Sequence, residues 1–148
     1  MDDIYQSFYW SKPVLSSESA MFTLSFTIGI FCYSYRYSRY EIKVYSSREY
    51  IERHFYDDTL DAPRLVIMLR SPHCPKDFHY RWYNKARVIQ SKDFMFALAI
   101  YWAILTHPNP PLEIVLALSC VDIPELKRWV QYKLKEIAGG LNHESPVG

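Results

Sequence analysis

RLVIMLRSPHCPKDFHYRWYNKARVIQ, residues 64–90, decides the fold, because it sets two element-forming runs either side of a segment rich in turn residues. The run RLVIMLR (64–70) is short, continuously apolar and of the length of a buried strand. FHYRWYNKARVIQ (78–90) is read as a second, more polar strand, and SPHCPKD (71–77), with its two prolines, as the turn that joins them.

Upstream, the chain alternates from Phe22, with Phe22, Leu24, Phe26, Ile28 and Ile30 on one face and Thr23, Ser25 and Thr27 on the other. The phase flips after Gly29, which predicts a bulge. FCYSYRYSRYEIKVY (31–45) continues the alternation, and residues 22–45 together exceed an ordinary strand, so two strands are expected to reverse between Tyr33 and Arg39. The second, from about Tyr37 to Tyr45, would turn Tyr40, Ile42 and Val44 to the core and Arg39, Glu41 and Lys43 outward.

The helical signals lie between and after these runs. SSREYIERHFYDD (46–58) has a serine cap and the apolar stripe Tyr50, Ile51 and Phe55. FMFALAIYWAIL (94–105), capped by Ser91 or Asp93, is apolar all round and is expected to be the central buried helix, stopped by HPNPP. Helices are also expected at about 111–119 and 123–138, the last amphipathic and closed by Gly139 and Gly140. The order ββαββααα predicts an α+β fold: one domain over 21–138, with an antiparallel sheet of about four strands (ββαββ) followed by a three-helix C-terminal part. Residues 1–20 read as an N-terminal extension or linker and 139–148 as a flexible tail.

Composition bounds the function classes. A chain of 148 residues, nearly half apolar, suits one core, and 17 Lys plus Arg against 16 Asp plus Glu leave a net charge of +1, so global charge does not argue for a polyanion partner. Three widely spaced cysteines with no secretory pattern before them imply no disulfide framework and a reducing, cytoplasmic compartment. The longest apolar run falls short of the roughly 20 residues that cross a bilayer, so no membrane association is expected. There is no GxSxG, Walker loop, GxGxxG or HExxH, hence no expected cofactor and no reaction to name.

Four constellations remain. Between Arg64 and Lys92 stand seven cations (Arg64, Arg70, Lys76, Arg81, Lys85, Arg87 and Lys92) against the single acid Asp77, interleaved with Phe78, Tyr80, Trp82 and Tyr83. Exposed cations contact phosphates and aromatic faces stack unpaired bases, so this strand pair could bind nucleic acid. The alternative is a solvated outer face balanced by DDTLD (57–61) over an aromatic core. In EIVLALSCVDIPELKRWVQYKLKEI (113–137), a short helix, a tight turn and a second helix resemble a helix-turn-helix, with Cys120 where that turn favours glycine. The resemblance would point Glu125, Lys127, Arg128 and Gln131 at a groove; a plain helical hairpin has the same spacing. His73, Cys74 and His79 lack the paired short spacings of a zinc site. Glu41 and Lys43 form the ExK of metal-dependent nucleases, which also need a second carboxylate from a neighbouring strand.

The reading that follows is a small non-catalytic regulatory or accessory protein that binds a protein partner, or a second copy of itself as a homodimer, through an aromatic-rich surface. The binding residues expected are Arg36, Arg39, Lys43, Lys76, Tyr80, Arg81, Trp82, Lys85, Arg87, Lys127 and Arg128. Nucleic-acid binding by the 64–92 strand pair or the 113–137 segment is the alternative, and a nuclease using Glu41 and Lys43 a weaker one.

Overall fold

The computed structural model describes residues 38–144, and among them every regular element is an α-helix. The expected α+β fold is therefore corrected: the described residues contain no strand, and three of the four expected strands are helices. The remaining one, from Phe22 with the bulge at Gly29, lies outside the described residues, as does Arg36.

Residues 37–45, expected to be a strand, contain α1 (Arg39–Tyr45), because Ser38 and Glu41 form a reciprocal capping box. The Ser38 hydroxyl accepts from the Glu41 amide at 3.1 Å, and the Glu41 carboxylate accepts from the Ser38 amide at 3.1 Å. After Ser47, whose hydroxyl accepts from the Tyr50 amide, comes α2 (Arg48–Arg53), shorter than expected. Asp57 explains the early end: its carboxylate accepts from the amide and hydroxyl of Thr59, at 2.8 and 2.6 Å, in a local turn that competes with helix.

The 64–70 run forms α3 (Ala62–Arg70), starting behind Asp61 with Pro63 in its first turn, where a missing N–H costs nothing. Ser71 is extended, the conformation favoured before Pro72, and so ends the helix. The second expected strand is α4 (Lys76–Ile89), whose buried residues Phe78, His79, Trp82 and Ala86 share one helical face. A continuous apolar run fits a buried helix as well as a buried strand, and here every residue from Leu65 to Arg70 is buried.

The all-apolar segment is α5 (Phe94–Leu105), begun by Asp93, whose side chain accepts from the Phe96 amide. Nine successive residues, Ala97 to Leu105, are buried, which requires neighbours on every side. They are α3, α4 and α7 (Pro124–Glu144), while α6 (Leu112–Leu118) packs on α7 and α1 packs on α2 and α3. Helix α7 is not closed at Gly139 and Gly140 but runs through both to Glu144. The core thus surrounds α5, and α4 and α7 each keep one face outward. Among the described residues no helix is long and apolar enough to cross a membrane.

Candidate functional site

Arg81 and Lys85 stand one turn apart on α4, on the flank of its buried face, so their side chains can converge on one point. That point is Asp58, whose Oδ1 lies 2.8 Å from Arg81 Nη2 and 2.7 Å from Lys85 Nζ. The two cations are mostly covered, with side chains 23% and 33% exposed, whereas the Asp58 side chain is 61% exposed. Aromatic rings hold the cations in place: the Arg81 guanidinium lies 5.0 Å from the centre of the Tyr56 ring and Lys85 Nζ 5.4 Å from that of Trp82.

The segment carrying Asp58 is built to present it. Asp57 turns back onto Thr59 and lies 3.3 Å from His54 Nδ1, and the Thr59 and His54 hydrogen bonds hold its carboxyl at a pKa of about 2. Asp58 is left facing α4, and the Lys85 hydrogen bond, with the Lys85 and Arg81 charges, holds its carboxyl below the ordinary range. Tyr56, 78% exposed, stands at the edge of the arrangement. The result is a clamp of two cations on one carboxylate, rimmed by an accessible phenol.

The other residues expected to bind are dispersed. Trp82 is buried, which removes it as a stacking platform for bases, and the Tyr80 hydroxyl donates to Glu113 at 3.0 Å. Lys76 and Arg87 are exposed on α4, and Lys92 lies exposed beyond its end. Arg64 donates to the Tyr50 hydroxyl at 3.2 Å with its guanidinium 5.2 Å from the centre of the Tyr45 ring, and Arg70 is buried against Trp102, 4.5 Å from the ring centre. The 64–92 cations therefore do not form one continuous face.

On α7, Lys127 reaches Asp122 at 3.3 Å, and Arg128, Gln131, Tyr132, Lys135 and Glu136 line an open groove of about 390 Å³. The α6–turn–α7 segment is a helical pair as expected from the spacing, and Cys120 does not adopt positive φ. Arg39 and Lys43 are exposed on α1. Glu41, which the nuclease reading places on a strand beside Lys43, sits on a helix, where it caps the Ser38 amide and accepts from the Tyr45 hydroxyl at 3.2 Å.

A second polar cluster lies inside the core and was not legible in the sequence. His79 donates through Nε2 to the Leu69 carbonyl at 2.8 Å, and His107 donates through Nε2 to the Ser71 carbonyl at 2.8 Å. His107 Nδ1 accepts from the Asn109 amide at 2.9 Å, which fixes its tautomer, and the two imidazoles meet edge to face with centres 4.7 Å apart. Lys133 Nζ donates to the His107 carbonyl at 2.7 Å, and the Ser71 hydroxyl donates to the Ser46 carbonyl. Burial depresses His79 to a pKa of about 4 and also lowers His107 and Lys133. These bonds tie α1, α3, α4, α5 and α7 together, so the cluster is an architectural joint. Among the described residues no three His, Cys, Asp or Glu side chains gather as a metal-ligand set; His73 is exposed and Cys74 buried.

No family model matches the chain, and neither a curated protein nor a solved structure does. Over the described residues the fold and the clamp define the class: a helical bundle in which an arginine and a lysine of α4 gather on one aspartate beside an exposed tyrosine.

Proposed function

We propose that the protein is a non-catalytic binding module that engages a protein partner through the flank of α4 that carries Arg81 and Lys85 and the 54–60 segment beside it. The observation that carries the reading is the convergence of Arg81 and Lys85 on Asp58 beside the exposed Tyr56. Arginine and tyrosine are enriched among the residues that dominate protein interfaces, tyrosine because it gives a large contact area with few rotatable bonds and arginine because its planar guanidinium both stacks and forms paired hydrogen bonds. The arrangement of the 64–92 segment weighs against nucleic acid. Its cations do not share one continuous face, since Arg70 is buried against Trp102 and Arg64 donates to the Tyr50 hydroxyl, and the tryptophan expected to stack on bases is in the core.

The test places a photo-crosslinking phenylalanine at Tyr56 and exposes the protein, in an extract of the cells that make it, to light. The reading predicts a discrete protein adduct that disappears in the Arg81→Ala/Lys85→Ala variant. An adduct that survives that double substitution would contradict it. So would tight, strongly salt-dependent binding of single-stranded DNA that the double substitution abolishes.

A further inference from the structure

We infer that the partner presents an acidic segment, and that Asp58 is a built-in competitor which must leave the Arg81–Lys85 clamp for that segment to bind. The inference rests on the reading of α4 as the binding face and adds the chemistry of what binds there.

The clamp already shows its preference, because what it holds is a carboxylate. Both cations point at one oxygen, Asp58 Oδ1, from 2.8 and 2.7 Å, a convergence that suits a carboxylate from any source. Each cation is oriented by an aromatic ring, Tyr56 for Arg81 and Trp82 for Lys85, so their positions do not depend on Asp58 alone. Removing Asp58 from the clamp would leave two preorganised, partly covered positive charges and no acid on them.

Asp58 is also the easiest member to displace. It is the most exposed of the three, and an ion pair whose carboxylate faces water contributes little to stability. Asp57, by contrast, is bound to both Thr59 and His54, so the segment can keep its turn while the Asp58 side chain swings out. The freed carboxylate would be solvated at once. Exchange therefore trades one carboxylate for another at the clamp, and the partner gains from contacts that Asp58 cannot make, including the exposed ring of Tyr56.

The test compares the full chain with Asp58→Asn and with Asp58→Asn/Arg81→Ala/Lys85→Ala. Each is titrated by fluorescence anisotropy at low salt with three labelled probes: a glutamate-rich decapeptide, the same peptide with glutamine for glutamate, and a single-stranded DNA of equal charge. The competitor role predicts that Asp58→Asn binds the acidic peptide tighter than the unsubstituted protein by roughly three- to tenfold, the scale of two exposed ion pairs. The triple variant should lose that gain, and the glutamine peptide should bind none of the three. Equal affinity of Asp58→Asn and the unsubstituted protein for the acidic peptide would overturn the inference. A gain seen for DNA alone would overturn it in favour of a nucleic-acid surface. If the Tyr56 adduct forms and depends on Arg81 and Lys85 while the peptide is indifferent to Asp58, the proposed function stands and only the acidic partner falls. If neither is seen, both fall.

Discussion

Lowering the pH from 7.5 to 4.5 should destabilise the protein through His79, and the size of the effect follows from its surroundings. His79 is fully buried, donates from Nε2 to the Leu69 carbonyl, and has no partner at Nδ1, so a second proton would enter the core with nothing to accept it. Burial is the main cause that holds its pKa at about 4, with the neighbouring His107 and Lys76 adding repulsion against the Leu69 bond. The unfolded chain therefore takes up the proton at about 6.5 and the folded chain only near 4. Between those values the unfolded state binds more protons, so stability is fully present above the unfolded pKa and falls as the pH drops toward 4. Integrated from pH 7.5 to 4.5, the loss from this one group is about 2.5 kcal/mol. Urea unfolding followed by far-UV circular dichroism at the two pH values measures it, with His79→Gln as the comparison, since a glutamine amide can still donate to the Leu69 carbonyl without titrating. The unsubstituted protein should lose about 2.5 kcal/mol more than the variant over this range. Equal losses in the two proteins would refute the reasoning, and would mean that His79 is hydrated or paired in solution.

Three further outcomes follow from the packing. Leu98→Ala, in the fully buried stretch of α5, should cost about 2–5 kcal/mol in denaturant unfolding. Ser38→Ala removes the acceptor of the capping box and should cost about 1 kcal/mol while lowering the helical signal of α1. Gly139→Ala and Gly140→Ala should each stabilise α7 by roughly 0.5–1 kcal/mol, seen as a higher melting temperature, because an added Cβ meets nothing within 4 Å at either position.

The helices with polar boundaries and clear stop signals were legible from sequence. Asp93 and the HPNPP segment bracket α5, and its all-round apolarity correctly places it at the centre of the bundle. The 64–90 stretch was misread because a short apolar run carries no period. The deciding signals lay at its ends: Asp61 and Pro63 as a helix start, and Phe78, Trp82 and Ala86 at helical spacing in the next segment. Ser38 and Glu41 gave the same warning for α1, against the alternation of Tyr40, Ile42 and Val44. At the candidate site, Arg81 and Lys85 were visible as cations, and DDTLD as acids that could balance them. Their meeting at Asp58 was not, since it depends on how the 54–60 segment folds across α4, a contact 23 residues apart in sequence for Arg81. The buried imidazoles were hidden for a similar reason: His79 and His107 are brought together only by the packing of their helices.

The clamp itself is tested most directly by titrating the Asp58 carboxyl carbon by NMR in the unsubstituted protein and in Lys85→Ala. The carboxyl should be held below the ordinary aspartate range by Lys85 and Arg81 and should rise toward that range when Lys85 is removed. An Asp58 that titrates as an ordinary aspartate in both proteins would contradict it, because Arg81 and Lys85 would then not be gathered on that carboxylate.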